Sequence, residues 1–392
     1  MLDTACLQTR RSPYTDIGIT NIGARESGGT KDGDMRRIKS KSASHRRQAL
    51  FLLCIFSAFL SSCGWNHAKD LAPSEALHRQ HFSDVRVMSW NVKRNSIFPP
   101  DGVRHESFMR TVQAIDPDVI GLQEVIRPGL VEELTQLMNR YVPLEDGMSW
   151  QVHSVADNAL ISRYPIRQQG GELAVPYPIP EWGLQDFHFG YASALVDLPE
   201  KFGGANLYVV AMHNKSGADR EEVQLRQIQS DSIVRWLRNL RDSDQANTLP
   251  NNTPIVILGD MNVVPSASMQ PLETLLSGNI VDEETFGPDF EIDWDGTDLS
   301  DARPSHNALG RSYYTWRNDD LPFAPSALDR ILFSDSVMSV RQRFVLNTMT
   351  MSTDELADRG LQKSDVLYGG NASHYDHLPL VADFAISKGS LK

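Results

Sequence analysis

The strongest constraint on the fold of this chain is a set of short apolar runs that each carry polar, chemically competent side chains at one end. The segments that contain these runs are residues 87–91, 119–124, 255–262 and 373–381. Short, continuous apolar runs predict buried β-strands, and loops at strand ends carry chemistry on a rigid frame. The chain is therefore predicted to be an α/β protein whose site is assembled from distant strand ends. The carboxylates, amides and imidazoles at those ends suggest a metal-assisted hydrolase.

Between these runs the chain alternates between strand-like and helix-like patterns. Apolar runs predict strands over residues 85–90, 119–122, 159–162, 192–198, 207–212, 255–259, 328–333 and 378–384. Apolar residues at helical spacing predict helices over residues 106–115, 130–138, 219–241 and 272–276. Segments 164–189 and 282–326 are rich in Pro, Gly and Asp and are predicted to be long loops. Taken alone, the alternation favours a doubly wound sheet, and nothing in the body marks a domain boundary.

Charge and cysteine content restrict the chemistry that the chain can perform. The formal net charge is −12, and residues 1–62 hold ten Lys and Arg against five Asp and Glu, which leaves −17 on the remainder. A body this acidic is poorly suited to tight non-specific binding of nucleic acid, whereas it suits binding of divalent cations. The only cysteines are Cys6, Cys54 and Cys63, so the part beyond Cys63 has no disulfide and no zinc site built on thiolates.

The first 62 residues are predicted to be a leader. Arg46 and Arg47 precede an uncharged apolar stretch over residues 49–60, which is too short to span a bilayer as a helix. A basic segment, a short apolar core and small residues after it are typical of a secretory signal. Residues 60–63 (Leu-Ser-Ser-Cys) resemble the bacterial lipobox, in which the cysteine becomes the lipidated mature N-terminus.

This leader predicts an exported protein of the bacterial cell envelope, held to a membrane by a lipid anchor at Cys63. Translation is predicted to begin at Met35, where a basic segment starts, so that residues 1–34 are either untranslated or a disordered extension. The alternatives are an ordinary signal peptide cut near the same place, or a buried apolar segment. The predicted organisation is a leader over residues 1–62, a linker over 63–83, one domain over 84–386 and a tail over 387–392.

Seven motifs occur in order along the body. They are Ser-Trp-Asn91, Leu-Gln-Glu124-Val, Asp157-Asn158-Ala-Leu-Ile-Ser162-Arg-Tyr-Pro165, Ala-Met-His213-Asn-Lys-Ser216, Leu-Gly-Asp260-Met-Asn262, Leu-Asp329-Arg-Ile331-Leu and Asp376-His377-Leu-Pro379. In content and order they resemble the endonuclease/exonuclease/phosphatase superfamily, over residues 84–386. The resemblance implies a four-layer α/β sandwich, two stacked mixed β-sheets flanked by helices, and we prefer this fold to the doubly wound alternative.

The resemblance also implies a metal centre. Glu124 would be the principal ligand of Mg²⁺, with Mn²⁺ as a substitute, since Mg²⁺ prefers hard oxygen ligands and needs only one or two carboxylates. Asn91 would position Glu124 or belong to a second metal site, and Asp376 would bind metal or hold a histidine. The structural alternatives are an exposed side chain after a strand for Glu124 and a turn amide for Asn91.

Acid–base and charge-stabilising roles follow from the same resemblance. Asp260 would orient and deprotonate the attacking water, and Asn262 would hydrogen-bond the developing phosphorane charge. His377 would contact the scissile phosphate, and His213 would help to protonate the leaving oxygen. Asp329 would support His213 or a metal. The structural alternatives are an Asx-turn at Asp260 and Asn262, a core histidine at His377 and a strand-end histidine at His213.

Contacts with substrate are predicted for two further side chains. Asn158 matches a substrate-side amide of the family, and Lys215 would either contact phosphate or be merely solvated. One position departs from the family pattern: Tyr375 stands where Ser or Thr is usual, which puts one small hydroxyl contact in doubt.

Together these observations predict a monomeric, Mg²⁺-dependent phosphoesterase that hydrolyses a phosphodiester by in-line attack of water. Its partner would be a phosphate-ester substrate, with nucleic acid as one candidate. A phosphomonoesterase or a sphingomyelinase-like phospholipid hydrolase of the same superfamily is the nearest alternative. An inactive, membrane-tethered binding module would lack one or more of the catalytic groups, and all of them are present. A serine hydrolase is disfavoured because the chain has no Gly-x-Ser-x-Gly segment.

Overall fold

The computed structural model describes residues 77–98, 104–171, 173–179, 183–242, 248–366 and 375–387. The predicted leader, the anchor residue Cys63, the linker up to residue 76 and most of the predicted tail lie outside the described residues. Within those ranges, no helix combines the length and the apolarity that crossing a membrane requires.

The strands form two six-stranded sheets and one hairpin. In chain order they are β1 (Val85–Asn91), β2 (Val119–Gln123), β3 (Gln151–Val155), β4 (Asn158–Ser162), β5 (Ile166–Gly170), β6 (Leu173–Ile179), β7 (Gly183–Phe189), β8 (Tyr191–Val196), β9 (Leu207–His213), β10 (Ile255–Asp260), β11 (Ser300–Asp301), β12 (Asp329–Phe333), β13 (Met338–Val345) and β14 (Leu380–Ile386). The first sheet has the order β13-β14-β1-β2-β4-β3, the second has the order β11-β12-β10-β9-β8-β5, and β6 pairs with β7.

Each six-stranded sheet has one parallel pair at its centre. These pairs are β1 with β2 and β9 with β10, and the other pairings are antiparallel. Parallel neighbours end at the same edge of a sheet. The predicted site residues at the ends of β1, β2, β9 and β10 are therefore brought to one edge of each sheet.

Helices cover the sheets. They are α1 (His105–Ile115), α2 (Leu130–Tyr141), α3 (Arg220–Asp242), α4 (Gln270–Ser277), α5 (Glu283–Phe286) and α6 (Thr353–Asp358). α1 connects β1 to β2 and buries Phe108, whose ring stacks on Trp90 of β1 at a centroid distance of 5.8 Å. α3 connects β9 to β10, and its Ile233 and Leu237 pack in a core cluster with Tyr208 of β9. Burying a side chain of this size contributes about 1.5–3 kcal/mol.

The two sheets stack face to face, and the main core lies between them. Gly121 of β2 marks a point of close approach. A Cβ atom there would lie 2.1 Å from Leu258 Cδ1 and 3.1 Å from Ala211 Cβ, both in the second sheet. With helices outside the sheets, the arrangement has four layers. The predicted four-layer α/β sandwich of two mixed sheets is confirmed, and the doubly wound alternative is wrong.

The prediction of a long loop was wrong for residues 164–189, whereas residues 282–326 are mostly irregular. Residues 164–189 contain β5, β6 and β7, and residues 282–326 contain α5 and β11. Pro176 and Pro178 weaken the strand pattern of β6 in the sequence. Proline is tolerated in edge strands, and both strands of a two-stranded hairpin are edge strands. The pattern also missed β3, β13 and α6. Both missed strands lie at an edge of the first sheet, and polar residues interrupt their apolar pattern.

Candidate active site

The end of β1 places one amide between two carboxylates. Asn91 Nδ2 donates hydrogen bonds to Glu124 Oε1 (3.0 Å) and to Asp260 Oδ2 (3.1 Å). Glu124 directly follows β2, whereas Asp260 ends β10 in the other sheet. The backbone N–H of Lys93 donates to Asn91 Oδ1 (3.0 Å), which fixes the orientation of the amide. The structure thus brings Asn91, Glu124 and Asp260 together, as the strand-end pattern predicted.

Asp260 lies at the centre of the site and is only 2% exposed. Two imidazoles face its Oδ2 atom: His377 Nε2 at 3.5 Å and His213 Nε2 at 3.6 Å. Burial raises the pKa of Asp260; His377 and His213 oppose that shift, and the charge of Asp329 adds to it. The carboxylate and the two imidazoles are therefore close enough for the charge of each to affect the pKa of the others.

Asn262 lies beside this carboxylate. Its backbone N–H donates to Asp260 Oδ1 (3.0 Å), and its Nδ2 donates to the carbonyl of Asn214 (2.8 Å). An amide nitrogen carries two protons, so the bond to Asn214 leaves one N–H available to a ligand. The tight turn requires a φ of 48° at Asn262, a conformation that Asn tolerates better than most residues.

His213 has a carboxylate partner that the sequence analysis did not assign. Its Nδ1 lies 2.7 Å from Asp157 Oδ2, in the turn before β4. Burial lowers the pKa of His213, but the hydrogen bond to Asp157 and the charges of Asp260, Asp157 and Glu124 raise it to about 9. The imidazole is therefore a cation at neutral pH. The predicted support of His213 by Asp329 is wrong, because Asp157 fills that place.

His377 is held by Asp329. Its Nδ1 lies 2.8 Å from Asp329 Oδ2, and Thr315 Oγ1 donates to the same oxygen (2.5 Å). Burial lowers the pKa of His377, but the charges of Asp329 and Asp260, the hydrogen bond to Asp329 and the charge of Asp376 raise it to about 10. Asp329 is thus brought into the site as the partner of His377. No sequence signal marked Thr315.

Among the described residues, no histidine is hydrogen-bonded to Asp376. Its Oδ2 lies 3.5 Å from Lys93 Nζ, and its Oδ1 is buried with no hydrogen-bond partner among the described residues. Of its two predicted roles, metal binding and histidine support, the second is corrected. Tyr375, where the family pattern has a small hydroxyl residue, packs its ring 4.4 Å from that of Trp90 and belongs to the core.

The two side chains that were predicted to contact substrate have polar partners within the protein. Asn158 is buried and donates to the carbonyl of Gly190 (3.0 Å) and to Asp157 Oδ1 (3.2 Å). It thus supports the turn that carries Asp157. Lys215 Nζ lies 3.5 Å from Glu222 Oε1 at the start of α3. Its Nζ also donates to the carbonyl of Ser216 (3.0 Å), and its predicted phosphate contact stays a prediction.

The residues present fit a divalent cation on chemical grounds. In the part of the chain that the structure describes, Asp260, Asp329 and His377 are close enough to share an ion. However, Asp329 and His377 already bond to each other. Glu124 and Asp376 offer hard oxygen atoms, which Mg²⁺ prefers, and the buried Oδ1 of Asp376 has no described partner. A buried carboxylate oxygen without a donor is the kind of atom that a cation satisfies.

One family model and several solved structures match this chain. The model of the Endonuclease/Exonuclease/phosphatase family matches residues 88–351. Among solved structures, the chain is similar to the catalytic domain of human nocturnin with bound sulfate, at 17% identity over 78% of this chain and 95% of that chain, with a TM-score of 0.45. It is also similar to ANGEL2, a 2′,3′-cyclic phosphatase, in complex with adenosine-2′,3′-vanadate (15% identity, 77% and 95% covered, TM-score 0.47), and to truncated Caenorhabditis elegans TDP2 (15% identity, 77% and 98% covered, TM-score 0.45). No curated protein sequence matches.

Proposed function

Since the chain belongs to the endonuclease/exonuclease/phosphatase family, whose members hydrolyse phosphoester bonds, we propose that it is a Mg²⁺-dependent phosphodiesterase. One observation carries the proposal. The carboxylate of Asp260 faces two imidazoles, those of His213 and His377, and Asn91 links it to Glu124 by hydrogen bonds. A buried base, two proton-bearing groups and a hard oxygen ligand in one cluster supply what attack of water on phosphorus requires.

The water would be activated by Asp260. Its Oδ1 is fixed by the N–H of Asn262, and its Oδ2 carries the contacts to Asn91 and the imidazoles. Because burial raises the pKa of Asp260, this carboxylate is a stronger base than an exposed one. Asn262 would donate its remaining amide proton to the negative charge that develops on the phosphoryl oxygens.

The two histidines would act in different steps. His377 is buried and doubly restrained, by Asp329 at Nδ1 and by the bond from Trp90 Nε1 to its carbonyl (3.1 Å). A fixed cation of this kind stabilises charge on the phosphate. His213 is more accessible, with 17% of its side chain exposed, and would donate a proton to the leaving oxygen. Asp157 keeps it protonated for that step.

A divalent cation held by Glu124, with Asp376 as the second candidate ligand, would supply Lewis-acid stabilisation of the phosphoryl oxygens when bound. Asn91 would hold the Glu124 carboxylate in place through its hydrogen bond. The acidic charge of the body does not favour a nuclease that grips DNA along its length. We therefore propose phosphodiester hydrolysis without restricting the substrate to nucleic acid.

The test is a substrate panel on the purified protein. Plasmid DNA, sphingomyelin, inositol phosphates and bis(p-nitrophenyl) phosphate are each offered with Mg²⁺ and with EDTA. At least one phosphodiester should be hydrolysed with Mg²⁺ and not with EDTA. Unchanged turnover in EDTA, or hydrolysis of monoesters alone, contradicts the proposal.

Glu124→Gln tests the ligand itself. The substitution keeps the shape but removes the charge, so activity should fall at least about a hundredfold and calorimetric Mg²⁺ affinity should weaken. Glu132→Gln, an exposed change on α2, is the control and should retain full activity. Equal Mg²⁺ affinities for Glu124→Gln and Glu132→Gln would remove Glu124 as a ligand.

We further propose that the mature protein is lipid-anchored in the bacterial cell envelope through Cys63. The lipobox-like residues 60–63 and the lack of any later cysteine support this. Each buried methylene adds about 0.8 kcal/mol to membrane attachment, and two chains give stable anchoring. Intact-mass analysis of the mature N-terminal peptide should find a diacylated Cys63, and Cys63→Ser should release the protein from membranes. An unmodified N-terminus at another residue contradicts the anchor and indicates a secreted enzyme.

A further inference from the structure

The turn after β1 has an unusual backbone. Three consecutive residues with side chains, Lys93, Arg94 and Asn95, have φ values of 53°, 58° and 59°. L-amino acids with a Cβ atom rarely adopt this left-handed region, and then mostly as single residues. Local strain of this kind persists only where surrounding contacts impose it. The turn is thus held in a conformation that its own residues disfavour.

Hydrogen bonds clamp this turn to the metal side of the site. The N–H of Lys93 donates to Asn91 Oδ1 (3.0 Å), and the N–H of Asn95 donates to the carbonyl of Glu124 (3.0 Å). The side chain of Asn95 exchanges two further bonds with the backbone of Ile126, at 2.7 and 2.8 Å. The turn is therefore fixed to the candidate ligand Glu124 and to the amide that positions it.

The two basic side chains of the turn have different surroundings. The side chain of Lys93 is only 19% exposed, and its Nζ lies 3.5 Å from Asp376 Oδ2. Arg94, one residue further on, is exposed to solvent. The constrained turn thus delivers one ammonium group to the carboxylate cluster and leaves a second cation outside it.

A cation at this position has two consequences. First, an ammonium group next to Asp376 competes electrostatically with any divalent ion that uses the same carboxylate. Second, an ammonium has three donors on a flexible stem, so Lys93 can turn from Asp376 to a phosphoryl oxygen without movement of the clamped backbone.

We propose that Lys93 is a catalytic residue that binds the phosphate group of the substrate, and that in the absence of metal its ammonium rests on Asp376. This inference rests on the proposed phosphodiesterase function. The left-handed turn then holds the ammonium group of Lys93, which binds anions, beside the candidate metal ligands Glu124 and Asp376. Lys93 and the divalent cation then compete for the carboxylate of Asp376, whereas both bind the phosphate group of the substrate.

The decisive variant is Lys93→Met, which keeps the length of the stem and removes the charge. With bis(p-nitrophenyl) phosphate, kcat/KM should fall about 10- to 100-fold, which corresponds to the loss of a hydrogen bond to a charged group. Calorimetric Mg²⁺ affinity of the same variant should instead become tighter, because the competing ammonium is gone. Lys93→Arg should restore part of kcat/KM.

Arg94→Met is the matched control, since it removes the same charge one residue away in the same turn. It should leave both kcat/KM and Mg²⁺ affinity within about twofold of the parent. The inference is overturned if Lys93→Met and Arg94→Met lose activity equally, if Lys93→Met retains full kcat/KM, or if it weakens Mg²⁺ binding. Mg²⁺ titration does not depend on turnover. A parent protein that binds Mg²⁺ but hydrolyses no phosphodiester would therefore contradict the proposed function, while the effect of Lys93→Met on Mg²⁺ affinity still tests the antagonism.

Discussion

The partner of His213 makes a quantitative prediction about pH dependence. Asp157→Asn keeps an oxygen that can accept from Nδ1 but removes the negative charge 2.7 Å from the imidazole. A hydrogen bond to a charged group contributes about 1.5–3 kcal/mol, or about one to two pKa units. Because 34% of the Asp157 side chain and 17% of the His213 side chain are exposed, solvent screening favours the lower value. The pKa of His213, about 9 in the parent, should therefore fall by about one unit.

The sign of the effect on activity follows from the proposed role. A general acid must be protonated, so activity declines as the pH rises through the pKa of His213. The alkaline limb of the kcat/KM profile should lie near the pKa of about 9 in the parent and about one pH unit lower in Asp157→Asn. A bound divalent cation lowers the pKa of His213 in the parent and in Asp157→Asn, but the difference between the two pKa values remains.

The assay compares pH profiles for two substrates. A phosphodiester with an alkoxide leaving group needs protonation, whereas a nitrophenolate leaves without it. The shifted limb should therefore appear for the first substrate and be weak for the second. Asp197→Asn is the control, because Asp197 is remote from His213. Asp197 directly follows Val196, and Val196 pairs with Leu207 at the start of β9, whereas His213 is the last residue of that strand. If the limb stays in place in Asp157→Asn, or shifts equally for both substrates, the role given to His213 is wrong.

Two further predictions concern the stability of the fold. Gly259→Ala should destabilise the protein by about 2–4 kcal/mol, since φ is 145° and the added Cβ would meet the carbonyl oxygen of Met212 at 1.9 Å. Gly129→Ala, also at positive φ but with no atom within 4 Å, should cost only about 1 kcal/mol, and equal losses in urea denaturation would refute the packing argument. The second prediction concerns His377, whose pKa of about 10 in the folded protein exceeds the value of about 6.5 in unfolded chains. Its contribution to the free energy of unfolding is complete below about pH 6.5 and is lost as the pH rises through about 10. The parent should therefore lose stability over this window more steeply than His377→Gln, and parallel curves would contradict the raised pKa.

Much of the fold could be predicted from local patterns. The strands that end at Asn91, Gln123 and Asp260 were predicted to within a residue or two. Each is a short apolar run that stops at a polar residue, and such runs are buried on both faces of a layered fold. α3 was predicted as the longest helix for a similar reason, because its apolar stripe repeats over many turns. Strands were missed where they lie at sheet edges or in hairpins. The prolines of β6 and the exposed polar residues of β13 weaken the apolar signal of these two strands.

The predicted motifs contain most of the side chains that meet at the candidate site, but their pairing could not be predicted. The motifs contain Asp157, Asp329 and Asp376, and they also contain His213 and His377. Nothing in the linear order says which carboxylate bonds which imidazole. Asp157 precedes β4 in the first sheet and His213 ends β9 in the second, so their contact exists only because the sheets stack.

The same reason explains the other corrections. Asp376 is adjacent to His377 in sequence, yet the imidazole turns to Asp329, which lies opposite Asp260 in the pairing of β12 with β10. Sequence alone determined which residue types stand at the strand ends, because burial of apolar runs is a local property. Only the tertiary structure decided their partners, and with them the two raised histidine pKa values and the position of Lys93 beside Asp376, because hydrogen bonds and charge interactions depend on distances of a few ångströms between elements that are remote in the chain.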